Sequence, residues 1–339
     1  MRIEYIGYGS CSGTGIAAKD YVLALDSIGV DVAFRPIDSK VSRWFMPWEQ
    51  KRLTELRHKK TDKNWVQVFH CIPDMQRRFS YCRHLKTVGF ATYESTKAPS
   101  HWKNYLIKND LVIVPSEFCY NTFDFASNLS LVPHCCNVDY WKPRAAPKND
   151  KFTFVAIGSW MKRKGWDELA QAWCLVRGSR LKIVTDHPEK ARIKFGKFDN
   201  VSYHSKIQDM AAFMSQCDCV VCPTKGEGFG LVGMQALALG LPLIITEWSG
   251  VKEYANKDTA CMLPIEKTEV LRTMDGIPQF NNREWPVISP EILRDKMEEV
   301  RSNYIFFKNK AQRGCQIVRD RLSYDSVGAR LQTAIESIT

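Results

Sequence analysis

The stretch PTKGEGFGLVGMQALALGLPLIIT, Pro223–Thr246, decides how this chain is read. The apolar run CVVC ahead of Pro223 has the length of a buried strand. Lys225–Gly230 then forms a glycine-rich loop, Leu231–Leu239 a helix, and LPLIIT the next strand. Free N–H groups and the helix dipole make the start of such a helix an anion site. Glycines at 226, 228 and 230 let a ligand approach the backbone closely. Glu227 stands at the carboxyl end of the strand, where folds of this type bind their ligands. The helix is apolar on every side, so it is expected to be buried. Its one polar side chain, Gln235, needs a partner, because a buried unpaired amide costs a few kcal/mol. Two partners fit, a backbone carbonyl or a ligand hydroxyl.

The same alternation of strand and helix runs outward in both directions. IEYIGYG leads through SCSGTG into a helix and a strand at Val30–Phe34, a βαβ opening with Gly13 and Gly15 at the helix start. A nucleotide turn and a plain tight turn both account for that GTG. VQVFH (66–70), KTVGFATYE (86–94) and LVIVPS (111–116) continue the series. After the Pro- and Lys-bearing stretch 131–150, KFTFVAIGS (151–159) starts a second series with RLKIVT and CVVCP. The tail from Pro290 reads as two helices. The pattern predicts an α/β chain of two doubly wound, Rossmann-like domains facing across a cleft. The boundaries are 1–146 and 147–320, with 321–339 a helix packing back on the first domain.

The bulk numbers restrict the function. With 339 residues, 45% hydrophobic and 25% charged, the chain has an ordinary soluble composition and material for two cores. It lacks an apolar run long enough for a membrane span, and MRIEYIGYGS lacks the form of a signal peptide, so a cytoplasmic protein is expected. The 12 cysteines are then reduced thiols, and the CDCVVC cluster, Cys217–Cys222, reads as buried small residues rather than a metal site. A net charge of +11 favours an anionic partner: nucleotide, nucleic acid or membrane surface. Residues 40–63 carry eight Lys and Arg against three acids, interleaved with Trp44, Phe45 and Trp48.

Pro223–Pro242 resembles the signature of glycosyltransferase family 4, retaining enzymes of GT-B fold, usually E-G-F-G-x-x-x-x-E-A-x-A-x-G-x-P. It matches at Glu227, Gly228, Phe229, Gly230, Ala236, Ala238, Gly240 and Pro242, and the second Glu falls on Gln235. YESTKAPSHWKNYLIKNDLVIVPSEF, VPHCCNVDYWKP, FVAIGSWMKRKGWDEL and TEWSGVKEY resemble four further blocks in the family's order. The resemblance implies a transferase that takes a nucleoside-diphosphate sugar as co-substrate and requires neither cofactor nor metal. Glu227, Lys164 and His70 are then the catalytic group, Glu227 meeting donor-sugar hydroxyls and Lys164 the diphosphate. Ser159 stands where the family often has Arg, and Arg163 is the replacement cation. Gly228, Phe229, Gly230 and Leu231 border the donor, Gln235 holds the ribose, and Gly13 and Gly15 complete the donor side. His134 is structural, and Glu94 and Glu117 fix loops.

The resemblance favours a glycan or lipid-linked glycan as acceptor. The basic segment, with Lys51, Arg52, Lys59, Lys60 and Glu94 on the acceptor side, keeps open a hydroxylated base in nucleic acid and a peripheral contact with an anionic membrane. A nucleotide-sugar epimerase and a weakly active sugar-nucleotide-binding protein are the competing readings.

Overall fold

The computed structural model describes residues 1–38, 40–62, 64–76, 86–145 and 149–339. The chain divides into two compact units, Met1–Asn137 with Asp320–Thr339, and Val138–Arg319. Residues 146–148, where the sequence reading sets its boundary, lie outside the described residues.

The first unit is built on strands β1 (Arg2–Gly7), β2 (Asp31–Pro36), β3 (Val66–His70), β4 (Thr87–Phe90), β5 (Leu111–Val114) and β6 (Leu129–Leu131). They form a parallel sheet in the order β2-β1-β3-β4-β5-β6. A parallel sheet is covered on both faces, which is why β5 is an unbroken apolar run with every residue buried. Helices α1 (Gly13–Ser27), α2 (Pro47–Arg57), α3 (Pro73–Gln76), α4 (Lys103–Leu106) and α5 (Glu117–Thr122) connect the strands. Ser12 caps α1 by accepting from the Gly15 N–H at 3.2 Å, and Ser116 caps α5 in the same way through Cys119. The chain's final helix, Tyr324–Glu336, buries Val327, Leu331 and Ile335 in the same core as Tyr5, Tyr21 and Phe34. A buried ionic cluster fastens it there. Lys19 Nζ lies 2.7 Å from Asp20 and 2.5 Å from Glu49 of α2, and the Tyr324 hydroxyl donates to Asp20 at 2.5 Å.

The second unit repeats the scheme with β7 (Thr153–Ile157), β8 (Arg180–Val184), β9 (Val201–His204), β10 (Cys219–Cys222), β11 (Leu243–Thr246) and β12 (Cys261–Leu263), ordered β12-β11-β10-β7-β8-β9 and parallel throughout. Its connecting helices are α6 (Trp166–Trp173), α7 (Pro188–Phe195), α8 (Met210–Ser215) and α9 (Leu231–Ala238). An antiparallel pair, β13 (Thr268–Leu271) and β14 (Arg283–Pro286), stands apart from the main sheet and has no counterpart in the sequence reading. The tail corrects the two-helix expectation. It holds three helices: α10 (Pro290–Ser302), α11 (Tyr304–Arg321) and the final one, α12. Asn303 ends α10 by donating its N–H to Glu299 O, and Ser323 opens α12 as N-cap. Neither break involves Pro or Gly, so periodicity alone ran through one of them.

The buried-thiol reading of CDCVVC agrees with the structure. Cys217 and Cys219 are buried free thiols, and burial pushes the Cys217 and Cys222 thiols up to about 12.

Candidate functional site

In the second unit the chain runs outward from β7 to β9, then returns to the other side of β7 with β10. Folds of this kind bind ligands beyond the carboxyl ends of the two strands at such a reversal. Two loops therefore meet there, 158–165 after β7 and 223–230 after β10. The first becomes a single 3₁₀ turn, Lys162–Lys164, stopped by Gly165 at φ +75°. A Cβ at Gly165 would stand 1.9 Å from the Pro223 carbonyl oxygen, so glycine allows the two loops to touch. Lys225 N–H then donates to Arg163 O at 2.6 Å.

That contact delivers the charges. Lys164 Nζ pairs with Glu227 Oε1, and Arg163 Nη1 lies 3.6 Å from Glu227 Oε2 and donates to Gly226 O at 3.1 Å. Thr224 Oγ1 donates to Glu227 Oε1 at 3.0 Å, and the Glu227 N–H donates to Ser249 Oγ at 3.0 Å. The three charged side chains are only 11–18% exposed. Burial alone would push the Glu227 carboxyl up, but Lys164 and Arg163 beside it outweigh that and hold it below the usual carboxylate range. The site is thus a fixed carboxylate between two cations, with the glycine loop and the start of α9 beside it. Gly230, at φ +88°, turns the loop into α9 and leaves room for the Tyr254 hydroxyl, which donates to Gly230 O at 2.5 Å. Phe229 is buried against the Tyr254 ring, centroids 5.4 Å apart.

Gln235 is 6% exposed, and its side-chain amide makes no hydrogen bond with any described residue. Of the two partners open to it from sequence, the backbone carbonyl is not found. Ser159 contributes its carbonyl to the fold, accepting from Trp166 Nε1 at 2.9 Å. Leu231 is half-buried at the first turn of α9.

The remaining expected residues belong to the first unit. Gly7 and His70 are neighbours in the β1–β3 register, so the turn bearing Gly13 and Gly15 and the His70 strand end share that unit's own reversal point. His70 is buried, its Nδ1 2.7 Å from the Tyr5 hydroxyl and its ring stacked on Phe90 at 4.4 Å. Burial holds it well below the ordinary histidine value, so the ring is neutral. His134 is likewise buried and lowered to about 3, with Nδ1 3.2 Å from Tyr21 Oη. Glu94 is half-buried in the loop after β4, and Glu117 opens α5.

The basic segment is partly spent on structure. Arg52 makes a bidentate pair with Asp26 at 2.7 Å and a further pair with Glu55, and Lys59 pairs with Asp31 at 2.8 Å. Lys51 and Lys60 are exposed. Phe45 is a core residue, and Trp48 is 41% exposed.

Thr224, Ser249 and Tyr254 complete the site without having been singled out. Ser249 and Tyr254 lie in TEWSGVKEY, and Ser249 adopts φ +66°, a strain visible only in coordinates. Among the described residues no group of three or more His, Cys, Asp or Glu side chains could hold a metal ion, and no helix is long and apolar enough to cross a membrane.

Residues 151–273, within the second unit, match the family model Glycosyl transferases group 1. In architecture the chain is a GT-B protein: a sucrose-phosphate synthase from Thermosynechococcus elongatus superimposes with a TM-score of 0.74 at 15% identity over 100% of this chain and 99% of that one. Anabaena HepE in complex with UDP-glucose gives 0.73 at 12% identity, covering 99% and 100%. Among curated proteins, the Staphylococcus aureus capsular polysaccharide biosynthesis glycosyltransferase CapM is 26% identical over 147 residues, 40% of this chain and 38% of that protein. The Escherichia coli lipopolysaccharide glucosyltransferase WaaG is 28% identical over 149 residues, 40% of each. The aligned region thus spans about two fifths of the length of these relatives, and the family-model match lies in the second unit.

Proposed function

We propose that this chain transfers a glycosyl group, with retention of anomeric configuration, from a nucleoside-diphosphate sugar to a hydroxyl of a glycan or lipid-linked glycan. The observation that carries the reading is the Glu227–Lys164–Arg163 cluster at the reversal point of the second unit. A donor sugar presents hydroxyls and a diphosphate side by side, and the cluster offers a fixed carboxylate acceptor for the first and two cations for the second. In transfer the bond from the anomeric carbon to the phosphate oxygen breaks, and a bond from that carbon to the acceptor oxygen forms. The acceptor's proton passes to the departing diphosphate. Lys164, Arg163 and the N–H groups opening α9 stabilise the negative charge that develops there. Gln235 supplies a buried amide free for a ribose hydroxyl. UDP-sugars are the first donors to test, because HepE was crystallised with UDP-glucose, and polysaccharide acceptors follow from the names of CapM and WaaG.

The test is incubation with UDP-glucose, other UDP-hexoses and GDP-mannose, with and without oligosaccharide acceptors. Expected are acceptor-stimulated release of nucleoside diphosphate and a product whose anomeric configuration by NMR matches the donor. An inverted product removes the retaining assignment. An isomeric nucleotide-sugar formed without acceptor replaces transfer by epimerisation, and donor binding without turnover reduces the chain to a binding protein.

A further inference from the structure

Beside the phosphate-facing loop, on the α6–α7 side, the second unit has a groove of about 440 Å³. That falls within the 300–1,000 Å³ range typical of small-ligand sites. Half-buried Trp160 stacks on the buried Trp166 at 5.2 Å and 18°, which gives the groove an aromatic wall, and Trp166 spends its Nε1 on Ser159 O. The Trp160 backbone is held by Asp186 Oδ1 at 2.7 Å.

Charges on the rim do not balance. Two carboxylates line the groove, and both are occupied: Asp167 pairs with Lys194, and Asp275 accepts from the N–H groups of Lys162 and Arg163. Lys162 and Lys190 also line it, and neither ammonium pairs with a described residue. An aromatic wall suits the C–H face of a sugar ring, and two ammonium groups outside any ion pair with the described residues, on a lining that is cationic by one charge, suit an anion. Lys162 faces this groove whereas Lys164, two residues on, faces Glu227, so one 3₁₀ turn serves two places.

We propose that the groove walled by Trp160, Trp166, Lys162, Lys190 and Thr273 is a binding subsite for an anionic sugar, a hexose bearing a phosphate or carboxylate, separate from the Glu227 site. It goes beyond the proposed transfer and does not require it.

The experiment is isothermal titration of the full chain with glucose 6-phosphate, glucuronate and glucose, none of which carries a nucleotide. Expected is binding of the two anionic sugars at least tenfold tighter than glucose. That preference should disappear in the Lys162→Ala/Lys190→Ala variant and persist within twofold in Glu227→Gln. Equal affinity for all three sugars, no binding at millimolar concentration, or unchanged binding by the double variant would overturn the proposal. So would loss of binding in Glu227→Gln alone, which would put the anion at the Glu227 cluster. Both lysines are exposed, so an unaltered melting temperature checks that the double variant folds. Because no sugar-nucleotide is turned over, failure here leaves the transfer test untouched, and the reverse holds as well.

Discussion

Replacing Lys164 by Met tests whether the cluster at Glu227 is an electrostatic unit. The substitution keeps most of the aliphatic stem, which packs 3.4 Å from a Cβ position built on Gly158, and removes the ammonium. Two unit charges about 4 Å apart attract by about 4 kcal/mol at an effective dielectric constant of 20. Arg163 at 3.6 Å and Thr224 at 3.0 Å remain to support Glu227, so about half of that should be lost, roughly 2 kcal/mol. The loss must depend on pH. In the native chain Glu227 has a depressed pKa, so its stabilising contribution is present above the unfolded-state value and lost as pH falls through the folded one. Without Lys164 the upward push of burial gains weight and the folded pKa rises. The ionised carboxylate then contributes less at neutral pH, while the protonated form at low pH is hardly affected. The full chain should therefore melt about 4–8 °C below wild type at pH 7.5, taking 2–4 °C per kcal/mol for a unit of this size. The difference should be smaller at pH 4. An equal drop at both pH values would refute the electrostatic argument and leave Lys164 as a packing residue.

Glu227→Gln should keep the fold and lower nucleoside diphosphate release by at least tenfold; a loss within about threefold, under 1 kcal/mol, removes Glu227 from the mechanism. Gln235→Glu puts a charge where the structure provides no partner, so the melting temperature without donor should fall, while the rise on adding the nucleotide-sugar that the turnover test identifies should exceed that of wild type. A smaller donor-induced rise than wild type would mean that residue 235 does not meet the ribose. For the basic segment, Lys51→Ala/Lys60→Ala should account for most of any binding to anionic vesicles at about 50 mM salt, whereas Arg52→Ala should mainly lower stability through the loss of Asp26 and Glu55. Equal vesicle binding by wild type and the double lysine variant rules out this segment as an anionic contact.

The two-sheet α/β fold was legible because parallel strands buried on both faces write themselves as short apolar runs. VQVFH is β3 residue for residue, and LPLIIT differs from β11 only by its first two residues. The β13–β14 pair was not legible. TEVL and REWP are four residues each, half charged or exposed, and the pairing that makes them strands joins residues up to 18 apart through a loop without periodicity. Chemistry was legible where it rests on residue type along one loop, as with Glu227 and the glycines around it. It was not legible where burial decides it.

Arg163 shows the second case most clearly. By residue type alone it is one of three cations in MKRKG, singled out as a donor-site cation only through the family resemblance, and its neighbour Lys162 is indeed exposed. The difference arises from Gly165 and Pro223, which bring the β10 loop against this turn so that Arg163 is 9% exposed and its guanidinium meets Gly226 O. Lys19 repeats the lesson in the first unit. Inside α1 it looks like an ordinary helix-face charge, yet it is buried because Glu49 lies 30 positions on and Tyr324, 304 positions from Asp20, closes the cluster. In both places a cation becomes a fixed part of the interior only when a distant segment supplies its counter-charge. In the proposed transfer, a fixed cation near Glu227 is what the leaving diphosphate needs, since a charge already held in place costs no reorganisation when the bond breaks. The packing of the β7 and β10 loops is therefore not a background to the chemistry but the means by which Arg163 and Lys164 come to share one carboxylate.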